Sequence, residues 1–386
     1  MLSPFALIED LETGTARLFE DPQEVFAPRD HADVPATLKR LESLRREGGR
    51  LAGWLGYEAG FALDPRLAPL RGHSAGPLMW MAAFGRAATT PIAAVDGWLA
   101  QRSSGSGSGR GSLGPMEPLT DRTAYLKRFD RIIEAIRAGD IYQANLTIAL
   151  SGSWQGDPVA IYRSIRPRAA ARFGALVFDG QQWLLSFSPE LFFRANGAAV
   201  ETRPMKGTRP RGRDQAADRA LKADLAASRK DRAENLMITD LMRNDLSRLA
   251  VPGSVRVDEP FRIEAYPTVF QMTSTVRAML ANGFDAAEVL GAMFPCGSIT
   301  GAPKLRAMEI IDAVEGWQRG PYCGAIGQMN ADGACFNVAI RTLRLTPDGR
   351  ATFGVGSGVV ADSNGDGEWR ECLSKARFLS EVISPD

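Results

Sequence analysis

From Arg122 to Gly139, apolar side chains recur at Tyr125, Leu126, Phe129, Ile132, Ile133 and Ile136, the spacing of one helix face, and Gly139 supplies a stop. The pattern then changes period. "IYQANLTIALSG" reads as a strand, and "FGALVFDG" with "QWLLSFSPELFFRANG" as a strand pair whose Asp-Gly and Asn-Gly dipeptides mark turns. A second helix is predicted after Ser228, where Asp231 three residues on makes a capping-box-like start, with an apolar stripe through Leu236, Met237, Leu241 and Leu249. "FNVAIRTLRLT" and "ATFGVGSGVVAD" read as strands, and "DGEWRECLSKARFLSEVI" as a closing helix capped by Asp366. Helices mixed with hairpins, without strict strand-helix alternation, predict an α+β fold: antiparallel sheets packed in a sandwich with helices outside.

The Gly/Ser run "SSGSGSGRGSLGPMEP" interrupts this patterning and reads as a linker or long loop without regular packing. It divides the chain into an N-terminal segment 1–102, the linker 103–118 and a larger domain 119–386. The N-terminal segment, with "RLAGWLGYEAGFAL" and "GPLMWMAAFGR", shows the apolar runs and glycines of strands and turns.

Composition narrows the function. The chain has 386 residues, 45% hydrophobic and 24% charged, with a formal net charge of +1, an ordinary globular balance with no global pull toward nucleic acid. No run reaches a membrane span and no secretory leader opens the chain, so the cytoplasm is the expected location. Cys296, Cys323, Cys335 and Cys372 are too far apart for a C-x-x-C site and read as small hydrophobes. His31 and His73 are the only histidines. Acid and base chemistry elsewhere therefore falls to carboxylates, lysine and tyrosine.

Asp231 and Glu234 share one helix face, and Glu368 and Glu371 repeat that spacing on another. If brought together, two such faces offer an oxygen-only ligand set that suits Mg²⁺. Spacing alone favours solvated faces, with Glu371 paired to Lys375. Lys206 lies in "RPMKGTRPRG" with Arg203, Arg209, Arg211 and Arg213 nearby, and neighbouring cations would depress its pKa and free its amine for attack. A surface turn accounts for the same loop. The glycine clusters "FPCGSITGAPK" and "GVGSGVVAD" could present backbone N–H groups to an anion or be ordinary turns, and Arg341, in a predicted strand, needs a carboxylate partner if buried.

Taken in order, "GDIYQANLT", "SPELFF", "RPMKGTRPRG", "KDRAENLMITDLMRNDL", "FPCGSITGAPKLRAMEIIDAVEG", "RGPYCGAIG", "NVAIRTL" and "GSGVVADS...EWRECLSKA" resemble the chorismate-utilising enzymes, in the pattern of aminodeoxychorismate synthase component I. The N-terminal segment resembles that of anthranilate synthase component I more loosely, through "AGWLGYEAG". The resemblance implies the large chorismate-binding fold and a Mg²⁺ site with Glu234 and Glu371 as ligands and Asp231 and Glu368 close by. It implies substrate contacts from Gly207, Thr208, Gly356, Ser357, Gly358, Gln271 and Ser298, with Tyr322 and Arg341 on the enolpyruvyl carboxylate. Glu190 would be the general acid in an apolar setting supplied by Leu191, Phe192 and Phe193, and Lys206 the covalent nucleophile.

Gln143 stands where water-adding relatives carry a base lysine, and Gln271 where many relatives have histidine. The product implied is 4-amino-4-deoxychorismate, on the route to 4-aminobenzoate and folate. Chorismate and ammonia would be the substrates, with ammonia supplied by a separate glutaminase subunit because the chain lacks a Cys-His triad. Ending at Asp386, the chain would leave conversion of that product to another enzyme. An anthranilate or aminodeoxyisochorismate synthase is the near alternative, and a non-catalytic chorismate- or tryptophan-binding subunit the distant one.

Overall fold

The computed structural model describes residues 2–104, 110–169, 171–266 and 269–380. One continuous antiparallel ladder organises them. It begins at Gln143–Gly156, which pairs with Arg350–Val359, and continues through Thr342–Leu345, Trp183–Ser188 and Phe173–Phe178. Next come the N-terminal strands Phe5–Asp10, Thr15–Phe26, Met79–Pro91 and Leu51–Leu55. The ladder returns through Ala325–Asn330, Gly333–Val338, Leu191–Asn196 and Ala199–Arg203 to Val269–Met279. That strand takes Met205–Pro210 on the same edge and Arg256–Ala265 on the other. The strands of segment 1–102 are thus hydrogen-bonded into the middle of the sheet, between strands of 119–386.

The ladder folds over itself, as period-2 burial shows. Ala6, Trp54, Trp80, Ala82, Val177, Leu184 and Ile326 meet in an inner cluster fed by strands far apart along the ladder. Their immediate neighbours face outward: Phe5 and Leu7 join one outer cluster, and Leu51, Leu55, Met79 and Met81 another. Helices cover both outer clusters, Arg122–Arg137 on the first and Arg229–Ser247 with Ala286–Met293 on the second. This is the expected α+β sandwich. Among the described residues no helix is long and apolar enough to cross a membrane.

Local signals set many boundaries. The helix Arg122–Arg137 buries Tyr125, Phe129, Ile132 and Ile133, and Gly139 follows it at φ +80°. The Asp-Gly and Asn-Gly dipeptides close hairpins, with Gly180 and Gly197 at φ +95° and +55°. All four cysteines are free, and Cys335 alone among them is not fully buried.

Several expectations need correction. The closing helix Gly365–Ser374 is capped by Asn364, whose side chain accepts the Gly367 amide, while Asp366 pairs with Arg122. The helix Arg229–Ser247 does start at Ser228, but its buried face runs through Asn235, Ile238, Thr239, Met242, Asp245 and Leu246, leaving Leu236 half exposed. The face turns because its polar members have partners: Asn235 bonds to Met272 O and Ser274, and Asp245 takes the Lys304 amine at 2.5 Å. The Gly/Ser run also packs more than expected. Gly111–Leu113 and Glu117–Pro118 pair with Gln143–Gly156, and Leu113 is buried; the core of the run, 105–109, lies outside the described residues.

Candidate active site

The two ends of the ladder meet at Lys206. An added Cβ on Gly358, in the strand Arg350–Val359 near one end, would stand 3.3 Å from Lys206 Nζ, in the strand Met205–Pro210 at the other. The same Cβ would stand 2.7 Å from the Gln143 amide nitrogen, so glycine leaves the space into which both side chains reach. Lys206 Nζ donates to the Ser298 carbonyl at 3.4 Å, in the buried turn Gly297–Ile299. Gly207, at φ +80°, sits where a Cβ would strike the Asp231 side chain, which demands glycine twice over.

The run expected as one strand breaks between Ser188 and Leu191, and Glu190 occupies the break. The break is held by Ser188, whose hydroxyl accepts the Glu190 amide and donates to Val338 O at 2.6 Å. Glu190 is 3% exposed and its Oε1 has no hydrogen-bond partner among the described residues. Burial pushes its carboxyl up to about 7, against the pull of the Ser298 hydrogen bond, the Lys206 charge and the Met205 backbone. Leu191, Phe192 and Phe193, which follow it, are buried. Gln143 is likewise buried with both amide atoms unpartnered. Orphaned polar atoms beside a lysine mark a place for a polar ligand.

The Lys206 amine is held below its ordinary value, but not by the arginines of its loop. Burial is the main cause; Glu234 and Glu190 pull the value back up, while Lys375 lowers it. Arg203 pairs with Glu12, Arg209 with Asp224 at 2.6 Å and Asp231 at 3.1 Å, and Arg211 with Asp218 at 2.6 Å, while Arg213 is exposed. Arg203 and Arg211 spend their charge on Glu12 and Asp218, and Arg209 divides its own between Asp224 and Asp231.

The acidic residues gather as the spacing allowed. Burial, then Asp231 and Glu368, push the Glu234 carboxyl above its ordinary value against Lys206 and Lys230. Glu368 is buried and accepts the Ser363 hydroxyl at 2.7 Å, while Glu371 pairs with Lys375 at 2.9 Å. Burial raises Glu371, but Lys375, Lys206 and Lys230 outweigh it and leave its carboxyl low. Among the described residues no group of three or more ligating side chains stands assembled. Glu234, raised by burial and acidic neighbours, and Glu371, held low by lysines, are two helix-borne oxygen ligands of the kind that suits Mg²⁺, an ion that takes one or two protein carboxylates and completes its shell with water and substrate oxygens.

The remaining expected residues have contacts of their own. Gln271 donates to the Thr208 hydroxyl at 3.0 Å. Ser357 is buried, and Gly356 gives its carbonyl to the Lys375 amine at 2.7 Å. Tyr322 is buried, stacks on Trp317 at 6.1 Å, and lies where a Cβ on Gly354 would strike its ring. Arg341 departs from its predicted strand: it sits in a bend at φ +50° before Thr342–Leu345. It has no hydrogen bond or ion pair from its side chain among the described residues, and burial lowers its guanidinium from the ordinary value. A carboxylate is the group whose geometry would match it bidentately.

A match to the family of chorismate binding enzymes extends over residues 4–381, nearly the whole chain. The chain belongs to that family. Among chorismate binding enzymes, it is 43% identical over 265 residues to aminodeoxychorismate synthase component 1 of Salmonella typhimurium, covering 68% of this chain and 58% of that protein. It is 41% identical over 263 residues to anthranilate synthase component 1 of Thermus thermophilus, covering 68% of this chain and 57% of that one. The chain therefore spans a little over half the length of these relatives. Anthranilate synthase component I from Streptococcus pneumoniae superposes with a TM-score of 0.80 at 24% identity, over 96% of this chain and 93% of that one. The menaquinone-specific isochorismate synthase of Escherichia coli gives 0.75 at 18% identity, over 99% and 89%. These two likenesses establish the fold of a chorismate binding enzyme.

Two features of this family member escaped the sequence reading. Arg319 and Glu315, an i,i+4 pair that looks like a surface bridge, are buried at 2.7 Å and brace the site's rear: Arg319 donates to Ile299 O and Asn145 O, and Glu315 accepts from Thr147. Lys375 is the second cation of the site. Its spacing from Glu371 was the only signal.

Proposed function

We propose that this chain makes 4-amino-4-deoxychorismate from chorismate and ammonia. The observation that carries the reading is an amine and an acid converging on one space in complementary states: Lys206 held below its ordinary pKa by burial, Glu190 pushed up to about 7. A lysine whose amine is held below its ordinary value gives up its proton more readily and so is the better nucleophile, and a carboxyl that keeps its proton is a general acid.

The Lys206 nitrogen bonds to ring C2, both conjugated ring double bonds shift by one position toward C4, and the C4–O bond breaks so that the hydroxyl leaves as water with the Glu190 proton. Ammonia then bonds at C4, both double bonds shift back, and the C2–N bond breaks to release the Lys206 amine; the surplus proton of the new amine returns to Glu190. Gly207, Thr208, Gly356, Ser357 and Gly358 hold the ring carboxylate, and Tyr322 with Arg341 the enolpyruvyl carboxylate. Gln271, tied to Thr208, and Ser298, tied to Lys206, keep the pocket's floor in place. Mg²⁺ bound at Glu234 and Glu371, with Asp231 and Glu368 behind them, would supply positive charge to the ring carboxylate. Gln143 cannot deprotonate water, which favours an amine over a hydroxyl product. Ammonia comes from a separate glutaminase subunit in the cytoplasm, and the product feeds 4-aminobenzoate and folate synthesis.

The near-equal identity to an anthranilate synthase gives the second reading its footing. Incubating the chain with chorismate, Mg²⁺ and ammonium decides between them. An amino product that retains the enolpyruvyl group supports the proposal; anthranilate and pyruvate overturn it.

A further inference from the structure

Behind the candidate site lies a second cavity of about 300 Å³, lined among others by Tyr57, Glu58, Phe61, Arg71, Trp317 and Arg319. Its cations are already engaged. Arg319 is bound to Glu315 at 2.7 Å, and Arg71 donates to the Phe61 carbonyl at 2.9 Å. Glu58 differs: it forms no ion pair among the described residues, and its carboxylate receives only the backbone amides of Arg319 at 2.6 Å and Gly320 at 3.0 Å. The buried Tyr57 hydroxyl has no hydrogen-bond partner among them either. Three aromatic rings complete the lining.

A carboxylate with spare lone pairs, a free hydroxyl acceptor and aromatic rings suit a small cation that carries N–H donors. Burial raises the Glu58 carboxyl to about 7, outweighing the backbone amides and the charge of Arg319, which Glu315 already holds. The cavity also shares its walls with the candidate site. Trp317 stacks on Tyr322, and Arg319 donates to the carbonyls of Ile299 and Asn145. Ile299 follows Ser298, whose carbonyl takes Lys206, and Asn145 pairs with Gly358 across the sheet.

We propose that this cavity binds ammonium at Glu58 and holds the amine co-substrate one side chain away from the reacting carbon. Its role as a co-substrate store rests on the function proposed above; its binding of ammonium does not. The first test therefore needs no turnover. The chorismate-free chain at pH 8, where Glu58 is ionised, is titrated with ammonium chloride against sodium chloride at constant ionic strength, reading tryptophan fluorescence, with Trp317→Phe identifying the reporter. A saturable ammonium-specific change that is lost in Trp317→Phe and weakened at least about tenfold in Glu58→Gln, the loss of one charge-assisted contact, supports the site; no ammonium-specific change overturns it. The second test uses turnover. Glu58→Gln and the cavity-filling Leu70→Trp should each raise KM for ammonium about tenfold with KM for chorismate unchanged, whereas unchanged ammonium KM in both overturns the store. Failure of the wild-type chain to aminate chorismate, with the titration intact, would sink the proposed function and leave the site standing.

Discussion

Lys206 donates to the main-chain carbonyl of Ser298 at 3.4 Å, and the side chain of that same serine, with the Lys206 charge, draws the Glu190 carboxyl down against the burial that raises it. One buried turn, Gly297–Ile299, therefore serves both groups that the proposed reaction needs. The sheet brings Lys206 from one end of the ladder and Gly358 from near the other, so the site exists only when the ladder has folded over. Chemistry and global fold are linked at a single contact region.

Replacing Lys206 by alanine removes the nucleophile and its hydrogen bond to the Ser298 carbonyl while leaving the strand ladder of Met205–Pro210 intact. Formation of 4-amino-4-deoxychorismate should fall at least about a hundredfold, about 2.7 kcal/mol of transition-state stabilisation, while chorismate still binds. A shift of residual product toward anthranilate would support Lys206 as the residue that selects the product. An unchanged rate, measured by mass spectrometry of the products, removes the covalent step.

Glu190 predicts two responses to pH. As an acid it works protonated, so the rate should fall as pH rises through about 7, and Glu190→Gln should cost kcat about 10²–10⁴-fold and erase that limb. Stability moves the same way in the wild type: its folded-state value lies above the unfolded one, so the folded chain binds the extra proton, and stability drops between about 4.5 and 7. The glutamine variant has no charge to bury. Its melting temperature should exceed that of the wild type at pH 8 and match it near pH 5, the difference being at most about 3 kcal/mol. Equal pH dependence of melting in the two proteins would show that Glu190 ionises freely.

The contrast between Tyr125 and Asn235 shows what a sequence carries about this fold. Tyr125 and its i+4 and i+7 neighbours declare a buried helix face by apolar periodicity alone, and Gly139 ends it locally. Asn235 and Asp245 share a buried face with Ile238, Met242 and Leu246 but carry no apolar signature themselves, because their partners Met272, Ser274 and Lys304 are distant in the chain. The site behaves likewise. Its motifs named Lys206 and Glu190, but the source of the lysine's low pKa was misread, since the arginines around it meet Glu12, Asp218 and Asp224 only after folding. Arg319 escaped for the same reason: burial, a tertiary property, makes a common i,i+4 pair into a brace.

The acidic helices predict a metal requirement with a defined signature. Chelation should abolish amination, and Mg²⁺ alone should restore it, because the ligands are all oxygen. Glu234→Gln removes one ligand and a carboxylate that burial, then Asp231 and Glu368, disfavour. The variant should fold at least as stably as the wild type yet need about tenfold or more Mg²⁺ for half-maximal rate, the order of loss seen when a site's supporting contacts are cut. A Mg²⁺ dependence that does not move would place the ion elsewhere.

Gly358→Ala separates the site from the fold most cleanly. Gly358 needs no left-handed backbone, and its added Cβ would meet only side-chain ends, Gln143 at 2.7 Å and Lys206 at 3.3 Å, which can swing aside. Swinging them costs the strand little but moves the amine off its line to the substrate, and small displacements of a positioned nucleophile lose about a hundredfold in rate. The variant should therefore melt within a few degrees of the wild type while kcat falls steeply. Gly354→Ala is the control: its Cβ would lie 2.2 Å from the buried ring of Tyr322, so stability itself should drop. If Gly358→Ala kept full activity, the space between Gln143 and Lys206 would not be where chorismate sits.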